Sequence, residues 1–294
     1  MRAHPPIFVI NLARASDRRK RMARLLREMN LTPRFFSAVD GRKLDDRSLA
    51  FWHRDARRQL LNPGEVGCML SHIEVWRQIV AEKVSSAIVL EDDLCIAPTF
   101  SDVVAAANDL EDFGLVRLET EPRFVVTRVR PTAKVAGHRC HALRRDGAFR
   151  SGAYLISRKV ALQLVSASKH FTNPIDAELF DRHRSAVTEL PVQQLVPGLC
   201  QQAESCPETV EQAPFLQSAI DPMGQRADET QGWKRPDEPQ LIETLRAVLR
   251  PMKQIAANAM LLPFGWQRRM VKLTGTADPT TDKGYSPRVT ARSA

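Results

Sequence analysis

The chain has no run of about 18 apolar residues, so nothing in it reads as a membrane-spanning helix. Aromatic residues are scarce, at 6% with only two tyrosines, and no nucleic-acid-binding signature accompanies the basic charge, which disfavours a reader of nucleic acid. The five cysteines (Cys68, Cys95, Cys140, Cys200 and Cys206) form an odd, irregularly spaced set. That suits reduced thiols in a cytosolic protein better than a disulfide framework. His138-x-Cys140-His141 carries zinc-ligand chemistry, but no second pair stands at a finger-like spacing, so no zinc site is expected there. Met1 to Pro6 gives way at once to a strand-like Ile7-Phe8-Val9-Ile10 and a charged helix, too short an opening for a signal peptide.

What is present is an ordinary globular composition, 43% hydrophobic and 26% charged over 294 residues. It allows one large domain of about 200 residues with an appendage, or two smaller ones. The formal charge of +9 points to an anionic partner such as a phosphorylated lipid or an acidic glycan.

The opening reads β-α-β. Ile7 to Ile10 suits a buried strand ending at Asn11. Ser16 can cap a helix with Met22, Leu25, Leu26 and Met29 at helical spacing, and Phe35 to Val39 suits a second strand closed by the turn pair Asp40-Gly41. Such an order argues for an α/β sheet. Asn62-Pro63-Gly64-Glu65 is a helix start, with Asn62 as cap, Pro63 at the first position and Glu65 closing a capping box. Val66, Leu70, Ile73, Trp76 and Val80 then form an apolar stripe, with Glu65, Cys68 and His72 on another face.

Further on, a helix at about 99–110 leads to a strand at Leu115 to Leu118. Residues 117–150 hold nine Lys or Arg against three acids and read as short strands or a hairpin. Ser151 to Ser157 is a further strand entering a helix at 158–168, and apolar runs recur from Leu190 to Leu199. Beyond residue 200 the composition shifts. Residues 201–240, rich in Gln, Glu, Pro and Asp, read as a linker, and 241–294 as a basic amphipathic helical tail divided at Pro251. Its apolar positions include Leu241, Leu245, Ile255 and Leu262. The tail either lies on an anionic membrane face or packs back on the core, and the sequence leaves both open.

Ala87-Ile88-Val89-Leu90 ends abruptly at Glu91-Asp92-Asp93. Four apolar residues suit a strand covered on both faces. Three adjacent carboxylates oppose one another's ionisation, so either they form a solvated acidic loop or a divalent cation with oxygen ligands offsets the repulsion.

Three segments together carry a family resemblance. Ile10-Asn11-Leu12-Ala13-Arg14 with Arg18, Pro63 to His72, and Val89-Leu90-Glu91-Asp92-Asp93 resemble, in order, three blocks of glycosyltransferase family 25. Weaker echoes are Ala38-Val39-Asp40-Gly41, Gly152 to Ser157 and Pro174-Ile175-Asp176; the likeness spans about 1–200. Ala13 departs from the family, whose members often carry an acid there.

The resemblance implies a GT-A type α/β fold over 1–200: a Rossmann-like mixed sheet flanked by helices, with the C-terminal helical extension outside it. It implies an inverting transfer of a hexose, galactose first, from a UDP-sugar to a lipooligosaccharide- or lipopolysaccharide-type acceptor. The cofactor would be Mn²⁺ or Mg²⁺, with Asp93 as ligand and Glu91 as a second ligand or a ribose contact. Asp92 would support them. Asn11, Arg14, Arg18, Asp40, Glu65, Ser71, His72, Gly152 and Tyr154 would line the donor or acceptor pocket. Asp176 is the candidate general base, with Glu178 and Asp181 as rivals.

Ser71 and His72 point about 100° apart on a helix, which disfavours a hydrolase pairing. The expected partners are a UDP-sugar and an anionic glycolipid, with peripheral contact at a bacterial inner membrane from the cytoplasm and no nucleic acid. The alternative is a non-catalytic carbohydrate-binding or adaptor protein that keeps the fold.

Overall fold

Residues 4–52, 61–147, 150–205, 214–216 and 255–275 are described by the computed structural model. Cys206, most of the expected linker, and the tail from 241 to 254 with Pro251 lie outside the described residues. In chain order the elements are β1 (Ile7–Asn11), α1 (Ser16–Glu28), β2 (Pro33–Ser37), α2 (Asp46–Trp52), α3 (Pro63–Ala81), β3 (Ser86–Glu91), β4 (Leu94–Ile96), α4 (Phe100–Ala106) and β5 (Leu115–Arg117). There follow β6 (Phe124–Arg128), β7 (Ala133–Val135), β8 (His138–Ala142), β9 (Ala153–Ser157), α5 (Arg158–Ala167), α6 (Ile175–Phe180), β10 (Val192–Val196), β11 (Cys200–Gln202) and β12 (Trp266–Met270).

Among the described residues, eight strands form one mixed sheet in the order β2-β1-β3-β9-β5-β10-β8-β7. β1 runs parallel to both β2 and β3, whereas β9 is antiparallel to its neighbours β3 and β5. The carboxyl ends of β1, β3 and β5 and the amino end of β9 therefore share one edge. Strand alternation explains the apolar runs. Phe8, Ile10, Ala87 and Val89 face the core under α3 and α5, while Ile7, Val9, Ile88 and Leu90 face the one under α1 and α4.

The capping box forms as expected: Asn62 accepts from the Glu65 amide at 2.9 Å and Glu65 from the Asn62 amide at 2.8 Å. The stripe on α3 is displaced. Val66, Met69, Ile73, Trp76 and Ile79 are buried, whereas Leu70 and Val80 are only half-buried. Gly67 permits the close approach of α3 to the Asp40-Gly41 turn; a Cβ there would lie 2.6 Å from both the Gly41 amide nitrogen and the Val39 carbonyl oxygen. On α1 the expected cap fails. Ala15 is the cap residue and Ser16 opens the helix, with no side-chain cap bond.

The boundary at 200 also falls differently. β11 pairs with β4, and the Ala203 amide donates to the Asp93 carbonyl at 2.9 Å, so residues 200–205 belong to the wall beside β3. In the tail, residues 255–261 are helical as expected, but 266–270 form β12 antiparallel to β6 instead of continuing a helix. β-Branched and aromatic residues on β6 offer an open strand edge, and Trp266 to Met270 complete it.

The His138-x-Cys140-His141 run is ordinary strand. His138 Nδ1 meets the Pro197 carbonyl at 3.0 Å and His141 Nδ1 the Arg128 carbonyl at 2.9 Å. The four described cysteines are free thiols. No helix among the described residues is long and apolar enough to cross a membrane.

Candidate active site

The acid triplet sits where the register places it. Glu91 pairs across from Ile10 of β1, and its amide donates to the Gly152 carbonyl at 2.8 Å. The three carboxylates have different surroundings. Asp92 is fully engaged: Asn11 Nδ2 donates to it at 2.6 Å and an Arg18 guanidinium nitrogen at 3.0 Å. Asn11 and Arg18 are themselves buried, so the first block and the acid block meet as one locked unit. The same Arg18 nitrogen lies 3.5 Å from Asp93, and Arg18 Nε donates to the Phe215 carbonyl at 2.8 Å.

Asp93 is different. It is buried, and its Oδ1 has no hydrogen-bond partner among the described residues. Burial, then the charge of Glu91, pushes its carboxyl up to about 7 despite Arg18.

A fourth carboxylate, Glu119, completes this group and was missed from sequence. It follows β5 on the same sheet edge, is fully buried, and accepts from the Gly152 amide at 2.7 Å through Oε2. Its Oε1 is, among the described residues, the second carboxylate oxygen with no partner, and burial, opposed by Arg117, raises the carboxyl to about 8, with the Glu91 charge adding. An acid just beyond an apolar strand was the available signal, the same one that marked Glu91 to Asp93. Gly152 belongs to this packing, since a Cβ there would stand 3.0 Å from Glu119 Oε2. Behind lies a buried polar layer, in which Arg117 donates to Glu121 at 3.1 Å and to Gln194 at 3.0 Å; Arg150 reaches the exposed Glu204 at 2.5 Å.

His72 connects α3 to the triplet through a directional chain. Trp76 Nε1, which can only donate, gives its hydrogen to the Tyr154 oxygen at 2.9 Å. The Tyr154 hydroxyl proton is thereby left for His72 Nδ1, 2.7 Å away. His72 Nε2 then carries the ring hydrogen and directs it at Glu91 Oε1 over a long 3.4 Å. The two rings stack at 5.7 Å, and both residues are fully buried. The Cys68 thiol, His72 nitrogen and a Glu91 oxygen come within 4.8 Å of one another. With the ring hydrogen on Nε2, however, His72 offers Glu91 a donor and no lone pair. Tyr154→Phe should strand two buried groups and destabilise the fold by about 2 kcal/mol, measured by urea denaturation. A loss below about 0.5 kcal/mol would contradict the chain.

The remaining expected residues divide by position. Ser71 is fully enclosed, accepting from the Val39 amide at 2.9 Å and donating to the Gly67 carbonyl at 2.7 Å. Glu65 serves the capping box. Arg14 pairs with Asp40, whose side chain also accepts from the Arg42 amide at the start of a short 3₁₀ turn. Asp176, in the first turn of α6, is half-buried. Burial raises its carboxyl, the Ala177 amide and the Arg184 charge oppose this, and the Glu91 charge adds to the rise. The rivals point elsewhere. Glu178 accepts from the amides of Thr172, Asn173 and Ala186, and Asp181 from that of His183.

The donor chemistry fits a hard divalent cation: carboxylates along one sheet edge, two of them buried with an oxygen that has no partner among the described residues, in a setting that disfavours their ionisation. Asp93 and Glu91 would hold it, with Glu119 as the adjoining carboxylate.

Comparison with known proteins identifies the family. Residues 4–179 match the family described as "Glycosyltransferase family 25 (LPS biosynthesis protein)". A Drosophila melanogaster "Glycosyltransferase 25 family member" is 31% identical over 198 residues, 60% of this chain and 31% of that protein. "Procollagen galactosyltransferase 2" of Mus musculus is 30% identical over 172 residues, 55% of this chain and 27% of that protein. A Rattus norvegicus relative, "Probable inactive glycosyltransferase 25 family member 3", is 32% identical over 198 residues, 60% and 33% of the two chains. The chain thus spans about a third of the length of the curated relatives it matches.

Proposed function

The chain belongs to glycosyltransferase family 25, and from that premise we propose that it is an inverting hexosyltransferase using a UDP-sugar and a divalent cation. The donor sugar proposed is galactose and the acceptor a lipooligosaccharide- or lipopolysaccharide-type glycan. The observation that supports it most is the buried Asp93 oxygen, without a partner among the described residues, next to Glu91 at the carboxyl edge of β1 and β3. In an open α/β sheet this edge is where nucleotides bind.

A bound Mn²⁺ or Mg²⁺ would supply positive charge for the departing diphosphate. The chain's own residues divide the rest. Asp93 and Glu91 would hold the cation. Arg18 and Asn11 fix Asp92, which keeps the turn after β3 rigid. Arg14, partly exposed at the end of the first block, can meet the nucleotide. His72 holds one oxygen of Glu91 in place from behind. Asp176 takes the acceptor hydroxyl's proton. Its raised affinity for protons makes it a better base than an exposed aspartate. One base and direct attack on the anomeric carbon give inversion.

Purified protein incubated with UDP-hexoses, Mn²⁺ and lipooligosaccharide acceptors should release UDP and extend the glycan. Asp176→Asn should lower kcat by about 10²-fold or more with donor affinity kept. Absence of transfer from every UDP-sugar would overturn the reading. The alternative, a binding protein that retains the fold, gains interest from the name of the rat relative. It predicts that UDP-hexose is bound but never consumed.

A further inference from the structure

The edge formed by β6 and β12 has an unusual surface. Their register places Phe124 opposite Met270, Val126 opposite Arg268, and Arg128 opposite Trp266. Opposed residues share a face, so these six project together, while Val125 and Thr127 between them are buried on the other side. The outward face alternates apolar and cationic groups in contact. Arg128 lies 4.3 Å above the Trp266 ring and Arg268 lies 4.6 Å above that of Phe124.

The apolar surface continues into the segment before β12. Arg268 donates its amide to Asn258 Oδ1 at 2.7 Å and Arg128 donates to the Phe264 carbonyl at 2.8 Å, tying residues 255–264 to the pair. Seven of the ten exposed large apolar side chains among the described residues lie in 124–129 and 255–270, led by Met260 (76%), Phe264 (73%) and Ile255 (68%). Concentration of this kind marks an interaction surface, whereas isolated exposed apolar groups do not.

We infer that this face docks on an anionic phospholipid bilayer. Aromatic rings capped by guanidinium groups suit the headgroup boundary, where the rings enter the acyl edge and the cations meet phosphates. Basic groups and long exposed apolar side chains on the strand pair and the segment tied to it match an anionic interface in both respects. Ile255 and Leu262, apolar-stripe positions of the tail, face outward here, so the stripe is available for such a contact. The inference stands on this surface alone and does not depend on the transfer chemistry.

The test uses the full chain and sedimentation with phosphatidylcholine vesicles, with or without phosphatidylglycerol. Binding should be at least about tenfold tighter to the anionic vesicles and weaken with added salt. The pair Arg128→Glu and Arg268→Glu should reduce it at least about tenfold, and Phe264→Ser should weaken binding to both compositions. Arg128→Gln with Arg268→Gln gives a milder second variant, with an unchanged urea-denaturation midpoint as the check on folding. Equal binding to both vesicle types, or charge-reversed protein that binds like the wild type, would overturn the inference. So would a concentration-dependent dimer abolished by Phe264→Ser in a protein that ignores vesicles.

Discussion

Asp93→Asn should lower sugar transfer by at least about 10³-fold while making the metal-free protein more stable at pH 8. The first effect follows from removing a charged ligand at the diphosphate, where a cation supplies several kcal/mol of stabilisation. The second follows from the setting of the carboxylate. In the folded protein Asp93 holds its proton up to about pH 7, against about 4 for an unfolded chain. The folded state therefore binds the extra proton between those values. Stability falls as pH rises through that window and levels off above it, by up to about 1.4 kcal/mol per pH unit for each such group. Glu119, raised to about 8, extends the decline.

Asparagine cannot ionise, so Asp93→Asn should add about 1–3 kcal/mol at pH 8 and almost nothing at pH 4. Added Mn²⁺ should stabilise the wild type more at pH 8 than at pH 5, because ligands must be deprotonated. Urea denaturation at both pH values, with and without Mn²⁺, measures all of this. A variant that is less stable at pH 8, or that still transfers sugar, would contradict the assignment.

Arg18→Met carries the opposite sign. Arg18 is the buried cation that reaches both Asp92, at 3.0 Å, and Asp93, at 3.5 Å. Removing one partner of a buried ionic group leaves the other charge uncompensated, at a cost of about 3–5 kcal/mol. Its loss should raise both carboxyls further and steepen the fall in stability above about pH 5. The penalty should therefore be larger at pH 8 than at pH 5. Combining Arg18→Met with Asp93→Asn should recover part of the loss, since one of the two unpaired carboxylates is gone. A penalty under about 1 kcal/mol, or one independent of pH, would show that Arg18 does not compensate these carboxylates.

Much of this site could be read from sequence because its strand ends and helix start obey local rules. Asn62 to Glu65 formed the expected box because all its partners lie within four residues. Glu91 to Asp93 were visible because an apolar run stops there. What escaped depended on distant contacts. Whether Arg18 met solvent or Asp92 was decided by a residue 74 positions away. Glu119 looked like one acid in a basic stretch, and only the sheet order β3-β9-β5 brings it to the same edge. Ser71 sat in a matching block, yet its hydroxyl is spent on the turn that Gly41 and Gly67 allow. β12 was hidden within a helical pattern because its stabilising partner, β6, lies about 140 residues earlier in the chain.

Calorimetric titration of the full chain with UDP, in Mn²⁺ and then in chelator, tests the central assignment most directly. Saturable binding should appear with Mn²⁺, weaken at least about tenfold in chelator, and lose its metal dependence in Asp93→Asn. UDP binding indifferent to both metal and Asp93, or no UDP binding at all, would contradict it.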